Sequence, residues 1–357
     1  MNRYAAFGVL TGIMALACIG CQNEKAESKE MLHTSSMTQA ETEIDENLIV
    51  VGVSQVGAES DWRIAQTNSI KEALTAENGF YMIFDNAQQK QENQIKAVRN
   101  FILQEVDYIV LDPIVVSGWE NVLQNAKDAD IPVILLDRNV EIEDDSLYTT
   151  GIISDFEAEG RNAGYWLEEY LKEEGREEED IHIVILLGTE GASAQIGRTK
   201  GFTEVAAQHA NWKVLDQVGG DFTQAKGREA METLLEKYDD IDVVISENDN
   251  MTFGAVDAIQ KAGRTCGPDG EITIVSFDAV KAALEAMQKG EINVDFECNP
   301  LQGPKLAETI KKLENGETVD KIQNIDETYF DTTMDLETLM KDHYHYGKKF
   351  YNFLHQQ

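Results

Sequence analysis

The sequence predicts an α/β protein of two doubly wound parallel-sheet lobes. Short β-branched runs alternate with helical patterns of ten or more residues, the periodicity of repeated βαβ units. Strands such as Val133-Ile134-Leu135-Leu136 and Val243-Val244-Ile245 are apolar nearly throughout, which suits parallel sheets covered by helices on both faces. About 310 residues follow the N-terminal region, more than the ~250 to 300 at which one core stops growing. In order, strands are expected over residues 48–55, 81–86, 108–112 and 132–138, with helices centred near 70, 96 and 124. A helix from about 156 to 174 carries the chain into a second series, with strands at 182–188, 213–218, 243–247, 272–278 and 292–297. Helices at 195–208 and 250–263 separate some of these.

One base, Arg3, precedes an uncharged stretch from 4 to 20 that ends at Cys21, the pattern of an export signal. The stretch falls below the ~20 apolar residues of a spanning helix and meets Gln22-Asn23-Glu24-Lys25 at once. Cys18-Ile19-Gly20-Cys21 resembles a bacterial lipobox, which implies a signal peptide over 1–20 and lipid attachment at Cys21, with Cys18 the second choice. Acyl chains there would anchor the chain to the extracytoplasmic face of a membrane. Residues 21–47, rich in Glu, Ser, Thr and Gln, read as a flexible acidic tether.

With 65 acids against 30 bases the formal charge is -35, which repels nucleic acid and excludes it as a partner. Beyond the signal region only Cys266 and Cys298 remain, enough for one bridge at most and matching no zinc spacing. His343 and His345 point apart on a helix, and residues 85–93 lack the central glycine and terminal acid of a calcium loop. No metal or cofactor is expected.

In doubly wound sheets a ligand sits beyond the carboxyl ends of the strands, so the residues there are the candidates. They are Glu59, Ser60, Asp61, Trp62 and Arg63 after the first strand, Asp137 and Arg138 after the fourth, and Arg198 opening a later helix. Phe222, Asn248 and Asp278 follow strands of the second series. A sugar ring has apolar C–H faces and a belt of hydroxyls that donate and accept, so its site needs aromatic plates and planar polar groups. Trp62 and Phe222 can supply the plates, and the guanidinium, carboxylate and amide groups the polar contacts. Asp249 reads instead as a helix N-cap, and Trp119, Trp166 and Trp212 as packing residues.

The segments VGVSQVGAESDWR, DNAQQKQENQIKAVRNFI, LDP, SGWENVL, IPVILLDR, GASAQIGRTKGF, GGDFTQAKGREAM and ENDNMTFGAVDAIQKAG resemble the periplasmic-binding-protein-like sugar receptors of ABC importers, of the galactofuranose-binding type. The resemblance runs from about 48 to 316. It implies the type I fold with a three-segment hinge, whose crossings are expected at 152–156, 299–303 and 321–324. The first lobe would hold 48–153 plus 301–320, the second 154–300 plus 321–334, and residues 335–357 would form a helical tail. Ligand contacts carried over from the family fall on Glu59, Ser60, Asp61, Trp62, Arg63, Asp137, Arg138, Arg198, Asn248 and Asp278, with Phe222 matching an aromatic of the ribose-binding relatives. Cys298 replaces an amide of those relatives, which also lack the Trp62-Arg63 pair, so ribose is disfavoured. Asp61 replaces a small residue of the galactofuranose type.

The expectation is therefore a monomeric, non-enzymatic, lipid-anchored receptor that hands a monosaccharide to an ABC permease. The alternative is presentation of the sugar to a membrane histidine kinase. A DNA-binding sugar repressor would need a basic headpiece where this chain has an export signal. A sugar hydrolase or isomerase lacks support because no nucleophile elbow, nucleotide loop or metal cluster appears.

Overall fold

The computed structural model describes residues 47–337. The signal segment, Cys21, nearly all of the expected tether and the tail past Glu337 lie outside the described residues.

The chain begins with β1 (Ile49–Gln55), α1 (Asp61–Ala73), β2 (Phe80–Asn86), α2 (Gln91–Leu103), β3 (Tyr108–Leu111), α3 (Glu120–Asp128), β4 (Val133–Asp137) and β5 (Thr150–Ile153). It then enters a second lobe with α4 (Phe156–Glu173), β6 (Ile181–Leu187), α5 (Ser193–Ala206), β7 (Trp212–Gly219), α6 (Gln224–Lys237) and β8 (Val243–Ser246). That lobe continues through α7 (Asp249–Lys261), β9 (Thr273–Asp278), α8 (Lys281–Gln288) and β10 (Val294–Glu297). The last described elements are α9 (Gly303–Glu314), β11 (Ile322–Asn324) and β12 (Tyr329–Asp331).

Two six-stranded sheets result, ordered β11-β5-β4-β3-β1-β2 and β12-β10-β9-β8-β6-β7. Every neighbouring pair is parallel except β10 with β12. Both faces of each sheet carry an apolar layer, which is why the central strands show no polar alternation. Trp119 belongs to one layer of the first lobe and Trp212 to one of the second, as packing residues should. Trp166 packs against that same second-lobe layer, its ring stacked on Tyr170.

Helix starts follow local chemistry. Ser60, Asp155, Thr223 and Asn248 each cap a helix by accepting a backbone N–H with the side chain. The cap of α7 is thus Asn248, not Asp249, which lies inside the first turn and is fully buried.

Three short strands escape the sequence pattern. β5, β11 and β12 have four, three and three residues, too few to show a period of two. One of them corrects the lobe assignment: 321–334 is divided, because β11 pairs in parallel with β5 of the first sheet while β12 closes the edge of the second. The third crossing consequently lies at 325–328, just beyond the expected 321–324, and the other two lie at 154–155 and 298–302.

Helices α4 and α5 meet through glycines four residues apart, Gly160 and Gly164 on one, Gly197 and Gly201 on the other. A Cβ on Gly160 would run into the Arg198 carbonyl, and one on Gly201 into that of Glu157. This close approach sets Arg198 beside Glu159. Gly201→Ala is expected to lower stability by roughly 2 kcal/mol, because overpacking against backbone outweighs the gain in helix propensity. A lower urea midpoint at unchanged m-value checks it.

Candidate functional site

Strand order reverses between β1 and β3 in the first sheet and between β6 and β8 in the second. The carboxyl ends at such reversals open a crevice, and the two crevices face each other across the three crossings. Between them lies a narrow cavity lined by Glu59, Ser60, Trp62, Arg63, Asp137, Arg138, Phe156, Ala194, Arg198, Phe222, Asn248, Asp278 and Cys298. The lobes are shut over it. Val116 N donates to Gly191 O (2.8 Å), Asn139 N to Ser193 Oγ (3.0 Å), and Asp61 N to Asn250 Oδ1 (3.1 Å).

Trp62, on α1 of the first lobe, is 3% exposed and packs within an apolar cluster of the second. Its Nε1 donates to the Cys298 carbonyl at 2.5 Å, in the second crossing. Phe222 lies across the cavity, its ring 5.2 Å from the Arg138 guanidinium carbon. Gly188 makes room for that ring, since a Cβ there would fall inside it.

The three arginines differ in function. Arg63 is saturated: Nε donates to Glu59 (2.9 Å), one terminal nitrogen to Gln66 (2.7 Å) and to Asp112, the other to Asp137 (2.9 Å). Gln66 in turn donates to Gln302 at 2.9 Å, so α1 is tied to the second crossing. Arg198 donates to Glu159 (2.7 Å), to the Glu247 carbonyl (2.5 Å) and to Asp278 (3.3 Å). Arg138 keeps only the Ile114 carbonyl (3.2 Å) and a 3.6 Å approach to Asp137, and its Nε has no hydrogen-bond partner. Burial, then the Arg63 cation, lowers its hold on its proton.

On the same wall Glu59 Oε2 also lacks a partner. Burial pushes this carboxyl up, but Arg63 and Arg138 together outweigh it and hold Glu59 below the ordinary carboxylate range. The first lobe thus offers an orphaned donor and an orphaned anionic acceptor. On the facing wall burial drives Asp278 well above its ordinary range against the pull of Arg198. A neutral Asp278 can donate as well as accept, which matches a hydroxyl partner.

Backbone strain collects here. Asp137, Phe222 and Asp278 have φ of 62°, 59° and 109°, a region non-glycine residues rarely occupy. Asp278 is held by its neighbours: Ala279 N donates to Asp295 (3.0 Å), Val280 N to Asp249 (2.7 Å) and Ser276 Oγ to Asp249 (2.6 Å).

Of the residues expected at the site, the structure brings ten to the cavity and leaves one outside. Asp61 is exposed on the rim and reaches the second lobe only through its backbone N–H. A turn of about 100° per residue separates it from Trp62 and Arg63, which face inward. Asn248 lines the cavity, but its amide is already engaged, accepting from Met251 N (2.9 Å) and donating to the Phe222 carbonyl (3.2 Å). Sequence reasoning missed Phe156, Ala194 and Cys298 among the lining residues and Asp112 and Glu159 behind them. Asp112, directly after β3, obeys the same strand-end rule as the others; Glu159 sits mid-turn in α4 and gave no signal. Cys266 and Cys298 are both free thiols.

The family model of the periplasmic binding protein domain matches residues 51–318. The chain belongs to this family. As a periplasmic binding protein of the sugar-binding, ABC-import type, it is extracytoplasmic, and its relatives are transport proteins, not enzymes. It is 42% identical over 278 residues to the galactofuranose-binding protein of Escherichia coli, covering 77% of this chain and 85% of the other. A Mycobacterium smegmatis structure in complex with β-D-fucofuranose aligns with TM-score 0.78 and 40% identity, covering 82% of this chain and 94% of that one. The arabinose transporter component of Shewanella sp. ANA-3, bound to α- and β-L-arabinofuranose, aligns with TM-score 0.74 and 39% identity over 84% of this chain and all of that one.

Removing the saturated arginine should damage the fold before it damages binding. Arg63→Ala strands Glu59, Asp112 and Asp137 together out of water, and a loss of about 3–5 kcal/mol in urea unfolding is expected. Stability within ~1 kcal/mol of the parent would show that the network carries no such weight.

Proposed function

We propose that this protein captures a monosaccharide in its furanose ring form, galactofuranose or a close analogue, and delivers it to an ABC permease from a lipid anchor at Cys21. The observation that carries the sugar chemistry is the pairing of an orphaned donor, Arg138 Nε, with an orphaned acceptor, Glu59 Oε2, between aromatic rings on opposite walls. Sugar hydroxyls can satisfy each of them, with C–H faces against Trp62, Phe156 and Phe222. Three relatives near 40% identity carry a furanose in their names, which supports that ring form over the pyranose.

In mechanism, sugar binds one wall first, and contacts from the other wall, made only on closure, supply the differential free energy that favours the shut form. Glu59, Ser60, Asp137 and Arg138 form the first wall, Arg198 and Asp278 the second. The shut form then offers two aligned lobe surfaces to the permease, acting as a monomer. Presentation to a kinase is the lesser reading, since the arabinofuranose-bound relative is itself a transporter component.

Calorimetry with D-galactose, D-fucose and L-arabinose should show binding that D-ribose does not match. Arg138→Ala should weaken it roughly 10- to 100-fold, the loss of a charge-assisted bond, at unchanged thermal stability. Unchanged affinity would remove Arg138 from the site. Cys21→Ser is expected to release the full chain from membranes into the soluble fraction, and retention with the membrane would refute attachment at that cysteine.

A further inference from the structure

All three crossings between the lobes meet at one carboxyl group. Glu327 lies in the third crossing, at 325–328. Its Oε1 accepts from Ser154 Oγ of the first crossing at 2.7 Å and from Asn299 N of the second at 2.8 Å. Glu327, Glu159 of α4 and Cys298 of the second crossing bring one ligand-type atom each within 4.8 Å of one another. Cys298 Sγ is also 3.5 Å from Ser154 Oγ. Glu327 is half-buried as a residue, and its carboxyl is enclosed.

Glu159 ties this point to the sugar cavity, because its Oε2 accepts from Arg198 Nε, and Arg198 lines the cavity. Its other oxygen, Oε1, is buried with no N–H or O–H donor from the surrounding residues. Two carboxylates in contact away from water cannot both be ionised at small cost. A proton on Glu327 removes the difficulty: the acid donates to Glu159, which stays anionic against Arg198.

We propose that Glu327 is a positioning residue for sugar binding, and that a proton it shares with Glu159 locks the three crossings together and aims Arg198 into the cavity. The groups facing Glu327 are Ser154, Glu159, Glu297, Cys298 and Asn299, with Arg198 behind Glu159. Burial first, then Glu159 and Glu297, drive Glu327 well above the ordinary carboxylate range, against the hydrogen bonds from Asn299 and Ser154. For an acid whose pKa rises on folding, the folded state holds the extra proton from the ordinary carboxylate range up to the raised pKa. Its stabilising contribution is complete below that window and is lost as pH rises through it. On this proposal opening the hinge returns the shared proton's site to water, so the shut, sugar-bound form weakens on the alkaline side by the same sign.

The inference rests on the sugar reading only for its affinity arm. The full chain is titrated calorimetrically with L-arabinose and D-galactose from weakly acidic to alkaline pH, beside Glu327→Gln and Glu327→Ala. Wild-type affinity should fall with pH by up to about tenfold per unit once the shared proton is at stake. Glu327→Gln replaces the donated proton by an amide N–H and should bind at neutral pH with the alkaline fall removed, whereas Glu327→Ala should lose at least about tenfold. Comparing wild type with Glu327→Gln cancels the other buried acids, among them Glu247 and Glu297, which burial pushes up to about 8. A parallel infrared difference spectrum needs no sugar: wild type at neutral pH should carry a protonated-carboxyl band that Glu327→Gln lacks. Absence of that band, an identical alkaline fall in Glu327→Gln, or full affinity in Glu327→Ala overturns the proposal. So does affinity that vanishes with a chelator and returns with zinc, since a cation would then bridge the two carboxylates and the thiol. Failure of wild type to bind either sugar would fault the ligand reading alone, and the infrared band would still decide this one.

Discussion

Arg63, Arg138 and Arg198 are withdrawn from water where the carboxyl ends of the two sheets meet, and a guanidinium stranded there would cost several kcal/mol. Much of the local architecture answers that requirement. Arg63 is neutralised by acids from the loop after β1, the end of β3 and the end of β4, so three neighbouring strands are held at one depth. Arg198 is met by Glu159 from α4 and Asp278 from β9, which binds the glycine-packed helix pair to the sheet. Arg138 is the exception, and its incomplete pairing is what leaves a donor for a ligand.

Holding these groups in place strains the backbone, and the strain is secured by buried hydrogen bonds rather than by glycine. Leu136 O accepts from Arg138 N at 2.6 Å across Asp137, a three-residue turn whose centre has positive φ. The bend at Asp278 and Ala279 is fastened by Asp249 and Asp295, both fully buried. Burial pushes Asp295 up to about 7, and its contact with Asp249 is a second place where two acids share an enclosed position. A cavity that must accept hydroxyls from many directions has been built by spending rigidity on the residues beneath it.

The alternation of strands and helices was legible because parallel strands buried on both faces are written as continuous apolar runs. The strand-end rule then reached Glu59, Trp62, Arg63, Asp137, Arg138, Phe222 and Asp278, all of which line the cavity. What it could not separate was presentation from support. Arg63 and Arg138 look alike as residues after strands, yet one is saturated by Asp112, 49 positions away, and the other is not. Asp61 failed for a different reason, since neighbours at a helix start diverge by about 100° and only coordinates fix which of them turns inward. Asn248 and Asp249 are equally good caps, so one residue of helix boundary decided which would clamp Phe222 and which would brace Asp278. β11 and the third crossing were displaced because three residues hold no period.

The hydrogen bonds that hold the lobes shut at the rim are all donated by backbone N–H groups, those of Val116, Asn139 and Asp61, at partly or fully exposed positions. Each contributes a net ~0.5–1.5 kcal/mol, and closing over Arg138 and Glu59 removes water from two charged atoms without replacing it. Protein contacts alone therefore come close to balance, which places the choice between open and shut with the ligand. Driving such an equilibrium from 1:99 to 99:1 takes about 5.5 kcal/mol of preferential binding to the shut form. Two charge-assisted hydrogen bonds from Arg198 at the upper part of ~1.5–3 kcal/mol each, with a neutral one of ~0.5–1.5 kcal/mol from Asp278, reach that sum. On this argument the groups that bind sugar and the groups that close the hinge are one connected set, because Arg198 is aimed by Glu159 and Glu159 abuts the carboxyl on which the three crossings converge.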